Sequence, residues 1–139
     1  MSKINVHLHF DGRCREALQF YGKCLDGKIL FSMTWGESPA AKEVPADWGK
    51  KIIHASLEFD GHSLSADDAP PGSYAKPQGF NIMLSYDETA MADKIFKALS
   101  EKGKILMPFG KTFWAEGFGM FQDQFGVPWM ISGKGMEIK

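Results

Sequence analysis

The chain has little cysteine, almost no net charge and no long apolar run, and each shortage removes a class of protein. Its two cysteines, Cys14 and Cys24, fall in one predicted helix. Ten residues of helix rise place them roughly 15 Å apart, beyond the reach of a disulfide, so the chain reads as a thiol protein of a reducing cytosol. A formal charge of −1 supplies no global positive field for nucleic acid or an anionic membrane. No apolar stretch is long enough for a transmembrane helix, and Met1-Ser2-Lys3-Ile4-Asn5 carries no signal-peptide core. A cytoplasmic location is expected. Phosphate-binding loops, nucleophile elbows and zinc-finger spacings are also missing.

What is present is an internal repeat. Across 139 residues, 44% are hydrophobic and 24% charged, enough apolar material for one domain with a core. Asn5-Val6-His7-Leu8-His9-Phe10-Asp11 aligns with Asn81-Ile82-Met83-Leu84-Ser85-Tyr86-Asp87 at an offset of 76 residues (Gly27 to Gly103). The same offset pairs Phe20 with Phe96, and Gly27-Lys28-Ile29-Leu30 with Gly103-Lys104-Ile105-Leu106. One spacing thus holds strand, helix and the next strand in register.

The periodicities agree. Ile4, Val6, Leu8 and Phe10 alternate with polar residues, as Phe80, Ile82, Leu84 and Tyr86 do in the second copy. Cys14, Ala17, Leu18, Tyr21 and Leu25 keep helical spacing, matched by Met91, Ile95, Phe96 and Leu99. Gly27 and Gly103 stand where a helix end commonly needs a left-handed residue. Two hairpins follow, around Gly61 and Gly126. The fold class is therefore α+β, two βαβββ modules forming paired curved mixed sheets. The expected division is a single domain over 1–139, with a first module at 1–67, a linker at 68–78 and a second module at 79–139. The turn-rich segment Glu37 to Lys51 is an extra loop of the first copy.

Two such copies resemble the vicinal-oxygen-chelate (glyoxalase/bleomycin-resistance/dioxygenase) superfamily, and within it the PhnB-like branch, often labelled a 3-demethylubiquinone-9 3-methyltransferase domain. The resemblance rests on the stretch Phe10 to Tyr21, on Trp35-Gly36-Glu37, on Asp67-Asp68-Ala69-Pro70-Pro71-Gly72, and on Thr112 to Met130. It implies a cup between the modules that holds a small molecule. Methyl transfer is disfavoured, because the first strand ends in Phe10-Asp11-Gly12-Arg13 without a glycine-rich turn.

In metal-using relatives the ligands stand on the first and last strand of each copy. Carried over by the resemblance, those positions are Asn5, Ser65, Asn81 and Met130, none of them an imidazole or carboxylate. No metal ligand and no cofactor is predicted, although a divalent metal is possible at a displaced site. His7 and His9 share a strand face with each other, and His54 lies on the polar face of its own strand. With Trp35, Phe113 and Trp114 they are the candidate ligand-binding residues. Glu37 and Glu116 each follow an aromatic residue and are candidate general bases if burial raises their pKa. Cys14 faces the core, Trp129 packs there, and His62 is read as structural.

The expectation is a small-molecule-binding homodimer that sequesters a ligand or drug. The alternative is a metal-dependent lyase, isomerase or dioxygenase using His7, His9 and His54.

Overall fold

The computed structural model describes residues 1–137, and the chain separates into two compact units, Met1–Ala75 and Lys76–Lys139. In the first, β1 (Val6–Phe10) leads into α1 (Cys14–Leu25), and β2 (Lys28–Thr34), β3 (Ile52–Phe59) and β4 (His62–Asp68) follow. The sheet order is β1-β4-β3-β2, with β1 and β4 parallel and the other pairs antiparallel. The second unit repeats the plan. It contains β5 (Ile82–Ser85), α2 (Thr89–Leu99), β6 (Lys104–Gly110), β7 (Phe118–Gln122) and β8 (Pro128–Ser132), ordered β5-β8-β7-β6.

Each helix covers one face of its own sheet. Cys14, Ala17, Leu18, Tyr21 and Leu25 are buried on α1 and meet the alternate residues Leu8, Phe10, Ala55, Leu57, Leu64 and Ala66 of the strands. In α2 the buried set is Ala92, Ile95, Phe96 and Leu99. Met91, expected on that face, is 43% exposed. The i, i+3, i+4, i+7 series that fits the packed face starts one residue later, at a small alanine that lets helix and sheet approach. Ile4 and Phe80 are exposed and precede their strands; strand pairing, which alternation does not report, begins at Val6 and Ile82.

The repeated glycines have a different cause from the one expected. The left-handed residues after the helices are Asp26 (φ 53°) and Lys102 (φ 60°). A Cβ on Gly27 would stand 3.0 Å from the backbone oxygen of Glu58, and one on Gly103 would collide with the backbone oxygen of Gln122. Both glycines let the chain pass against the edge of the following hairpin, and that requirement recurs because the topology recurs. Positive φ does govern the β3–β4 turn, where Asp60 (47°) and Gly61 (75°) form the two-residue link between the paired Phe59 and His62.

β4 extends one residue into the expected linker, ending at Asp68, because that residue is anchored. Its carboxylate is 1% exposed. One oxygen accepts the backbone N–H groups of Gly12 and Cys14 and the other accepts that of Ile52, each at 2.9 Å. Its own backbone carbonyl accepts the Trp35 indole N–H at 3.0 Å. One residue thereby fixes the end of β1, the first turn of α1, the start of β3 and the indole after β2. In the second unit Asp123 is also buried and serves its own hairpin, accepting N–H groups from Phe125, Val127 and the Trp129 indole.

Asp68→Ala leaves three backbone donors without their acceptor and is expected to lower stability by roughly 3–5 kcal/mol. Asp67→Ala, one residue earlier and facing the other way, should cost about 1 kcal/mol or less. Urea denaturation of both variants checks this, and equal losses would refute the anchoring role.

Candidate functional site

The sheet face opposite α1 is polar because alternation sends every second strand residue there. The parallel pairing sets His7 beside Ser65 and His9 beside Asp67. Their side chains converge. The His7 Nδ1 lies 2.6 Å from the Ser65 hydroxyl oxygen, and its Nε2 lies 2.7 Å from Asp67 Oδ2. From the other side His9 Nδ1 lies 2.9 and 3.0 Å from the two Asp67 carboxylate oxygens. One carboxylate is therefore bracketed by two imidazoles whose centroids are 5.1 Å apart. Asp67 is half-buried, whereas both histidines reach solvent.

His54, on β3, belongs to the same face. Its ring stacks on His7 at 5.7 Å with 16° between planes and also contacts Phe31 at 5.8 Å. It stands behind the imidazole pair and is not among the groups that converge on Asp67. Beside the cluster is a hollow of about 430 Å³. His9, Asp67 and Ser73 form its polar side; Trp35, Ile53, Ala69, Pro70 and Ala75 form its apolar side. Trp35 is buried, held by the Asp68 carbonyl, so its ring is a fixed wall. The structure thus brings together His7, His9, His54 and Trp35, and adds Asp67 and Ser65. Sequence reading assigned Asp67 to the end of a strand and Ser65 to an unused metal position. The signal available was the alternation with Leu64 and Ala66, which puts Ser65 and Asp67 together on the face opposite the core.

Phe113, Trp114 and Glu116 belong to the second unit. Phe113 is 71% exposed and packs edge-on against Trp114 (4.7 Å), which packs edge-on against Phe118 (5.2 Å). Glu116 accepts a hydrogen bond from the Thr89 hydroxyl at 3.1 Å. Glu37 is exposed and accepts both the hydroxyl and the backbone N–H of Thr34. Those hydrogen bonds, the hydroxyl's first, hold its carboxyl below the usual range, opposite to the rise that a general base there would need. His62 is exposed and touches Phe59 at the hairpin. Trp48, in the extra loop of the first copy, is half-buried under Lys51, whose ammonium lies 5.8 Å from its ring centre and bonds the Gly12 carbonyl.

The βαβββ duplication with two mixed four-stranded sheets is the glyoxalase/bleomycin-resistance architecture. The family model for the Glyoxalase/Bleomycin resistance protein/Dioxygenase superfamily matches residues 3–131, and the chain belongs to that superfamily. It is 33% identical over 137 residues to the protein YjdN of Escherichia coli K12, covering 93% of each chain. Among solved structures, protein PA1353 of Pseudomonas aeruginosa matches at 41% identity and a TM-score of 0.86, over 96% of this chain and 98% of that one. The PhnB protein of Bacillus cereus matches at 25% identity and a TM-score of 0.79, over 95% and 99%.

The thiols differ in a way that can be measured. Burial pushes the Cys14 thiol far up, and the Asp68 and Asp67 carboxylates add to the rise. Little thiolate exists there at pH 8. Iodoacetamide should therefore modify the half-buried Cys24 first, Cys14 reacting only on unfolding; peptide mapping that found Cys14 alkylated first would contradict this environment.

Proposed function

We propose that the protein binds a small organic molecule in the hollow of its first module, as a ligand-capturing member of the superfamily. One observation carries the reading: the two sides of the hollow differ in chemistry. A rigid indole with aliphatic neighbours faces an imidazole–carboxylate corner. That suits a compact ligand with an apolar or planar body and one polar end. The volume falls within the range of about 300–1,000 Å³ usual for such sites.

The positions at which metal-using relatives hold their ion are lost in this reading. Asn5 and Asn81 offer amides, Ser65 a hydroxyl engaged with His7, and Met130 a thioether. That donor set does not suit a divalent first-row ion. A second reading, a metal-dependent lyase, isomerase or dioxygenase, is favoured by the convergence of His7, His9 and Asp67. Among the described residues no helix is long and apolar enough to cross a membrane, and we take the protein to act in the cytoplasm. Pairing as a homodimer is supported by exposed apolar residues repeated on two edge strands, Ile29 and Leu30 on β2, Ile105 and Leu106 on β6.

Ser73→Trp puts a large side chain into the rim of the hollow from an exposed position. It should weaken binding of the apolar probe 1-anilinonaphthalene-8-sulfonate about tenfold or more, equivalent to about 1.4 kcal/mol, without moving the thermal midpoint. An affinity equal to the parent's would reject the hollow as the binding site. Leu30→Glu combined with Leu106→Glu should turn a dimer into a monomer on light-scattering chromatography; a parent already monomeric would reject the pairing.

A further inference from the structure

We infer that His7, His9 and Asp67 form a binding site for one divalent transition-metal ion, held entirely within the first module and displaced along the strands from the family's positions at Asn5 and Ser65. The inference deepens the reading above in one respect, since the open side of the ion would face the same hollow. The ion site itself stands on separate observations.

The first is geometric. Two imidazole nitrogens and a carboxylate oxygen, one from each residue, lie within 4.8 Å of one another. Residues i and i+2 of a strand share a face, and the parallel neighbour supplies the third group at the His9 register. An ion with bonds of about 2.0–2.2 Å fits among them after small side-chain rotations, replacing the hydrogen bonds they make in its absence.

The second is the tautomer. Ser65 takes up His7 Nδ1, which leaves Nε2 directed at Asp67 as the ligating atom. A ring whose far nitrogen is held by a hydrogen bond is the usual arrangement of a metal-ligating histidine. His54, stacked on the same ring, limits its rotation.

The third is an internal comparison. At the corresponding positions of the second module, where Met83 pairs with Met130 and Ser85 with Ser132, the chain has neither imidazole nor carboxylate. The fold thus forms β1–β4-type pairs without these groups, and their presence in one copy is not a demand of the architecture.

Two nitrogens and one carboxylate select first-row transition ions such as Zn²⁺, Fe²⁺, Co²⁺ or Ni²⁺ over Mg²⁺ and Ca²⁺, which prefer all-oxygen shells. Three protein ligands also leave coordination positions open. With His9 and Asp67 both lining the hollow, a ligand with a carbonyl, hydroxyl or carboxylate end could complete the shell there.

The experiment uses the full chain without an affinity tag. Co²⁺ is titrated in while visible d–d bands are followed, and Mg²⁺ is tested as competitor. One cobalt ion per chain is expected, undisplaced by excess Mg²⁺. Asp67→Asn and His9→Gln should each weaken binding at least tenfold with circular dichroism unchanged, Ser65→Ala by roughly tenfold or more, and His54→Ala should keep the ion. Absence of cobalt bands in the parent, or parent-like affinity in a folded Asp67→Asn variant, overturns the site; loss of the ion in His54→Ala overturns this choice of ligands. Binding of 1-anilinonaphthalene-8-sulfonate to the same samples separates the two ideas. Dye without cobalt rejects the ion alone, cobalt without dye rejects the hollow alone, and neither rejects both.

Discussion

The first module depends on a single buried carboxylate. Asp68 accepts backbone N–H groups from the turn after β1, from the first turn of α1 and from the start of β3. The turn and the helix start are neighbours in sequence, whereas the start of β3 lies far along the chain from both. Taking a charged group out of water costs several kcal/mol, a cost that the three donors offset. The return is positional. Helix, parallel strand and hairpin are tied at one point, and the same residue's carbonyl orients the Trp35 indole that walls the hollow.

The site follows from that anchor by alternation. Successive residues of a strand point to opposite faces, so with Asp68 turned to the helix, Asp67 must turn to the open face. The parallel register then brings Asp67 beside His9, and Ser65 beside His7. Neighbouring aspartates in one strand thus have unrelated tasks, one structural and nearly inaccessible, the other presented with two imidazoles. Nothing in their chemistry distinguishes them; strand phase does.

Much of this was legible before any coordinates. The offset of 76 residues (Gly27 to Gly103) encodes the duplicated topology, because both copies must satisfy the same packing. The alternation of His7 and His9 with apolar neighbours placed them on one open face. Less legible was anything set by partners across the sheet. Asp67 reads as a strand end until its register with β1 is known. Gly27 and Gly103 read as left-handed caps, but a Cβ would crowd a backbone carbonyl at Gly27 and collide with one at Gly103. Met91 outranks Ala92 in hydrophobicity and is the residue expected inside, yet Ala92 takes the fully buried position and Met91 stays exposed.

The asymmetry between the two copies has an evolutionary consequence. Both keep the strand order, the constrained glycines and the helix seam, but the imidazole–carboxylate set is confined to one of them. After a duplication, a site housed within one half releases the other from its chemistry. The second half can then drift in composition on its open face, as Met83, Ser85, Met130 and Ser132 illustrate, provided the shared packing survives. Change of ligand preference in such a lineage would be concentrated in the first seventy-five residues. Single-residue insertions in β4 ahead of Asp67 would be selected against there, since a shift of one position turns Asp67 toward the helix and puts Ala66 on the open face.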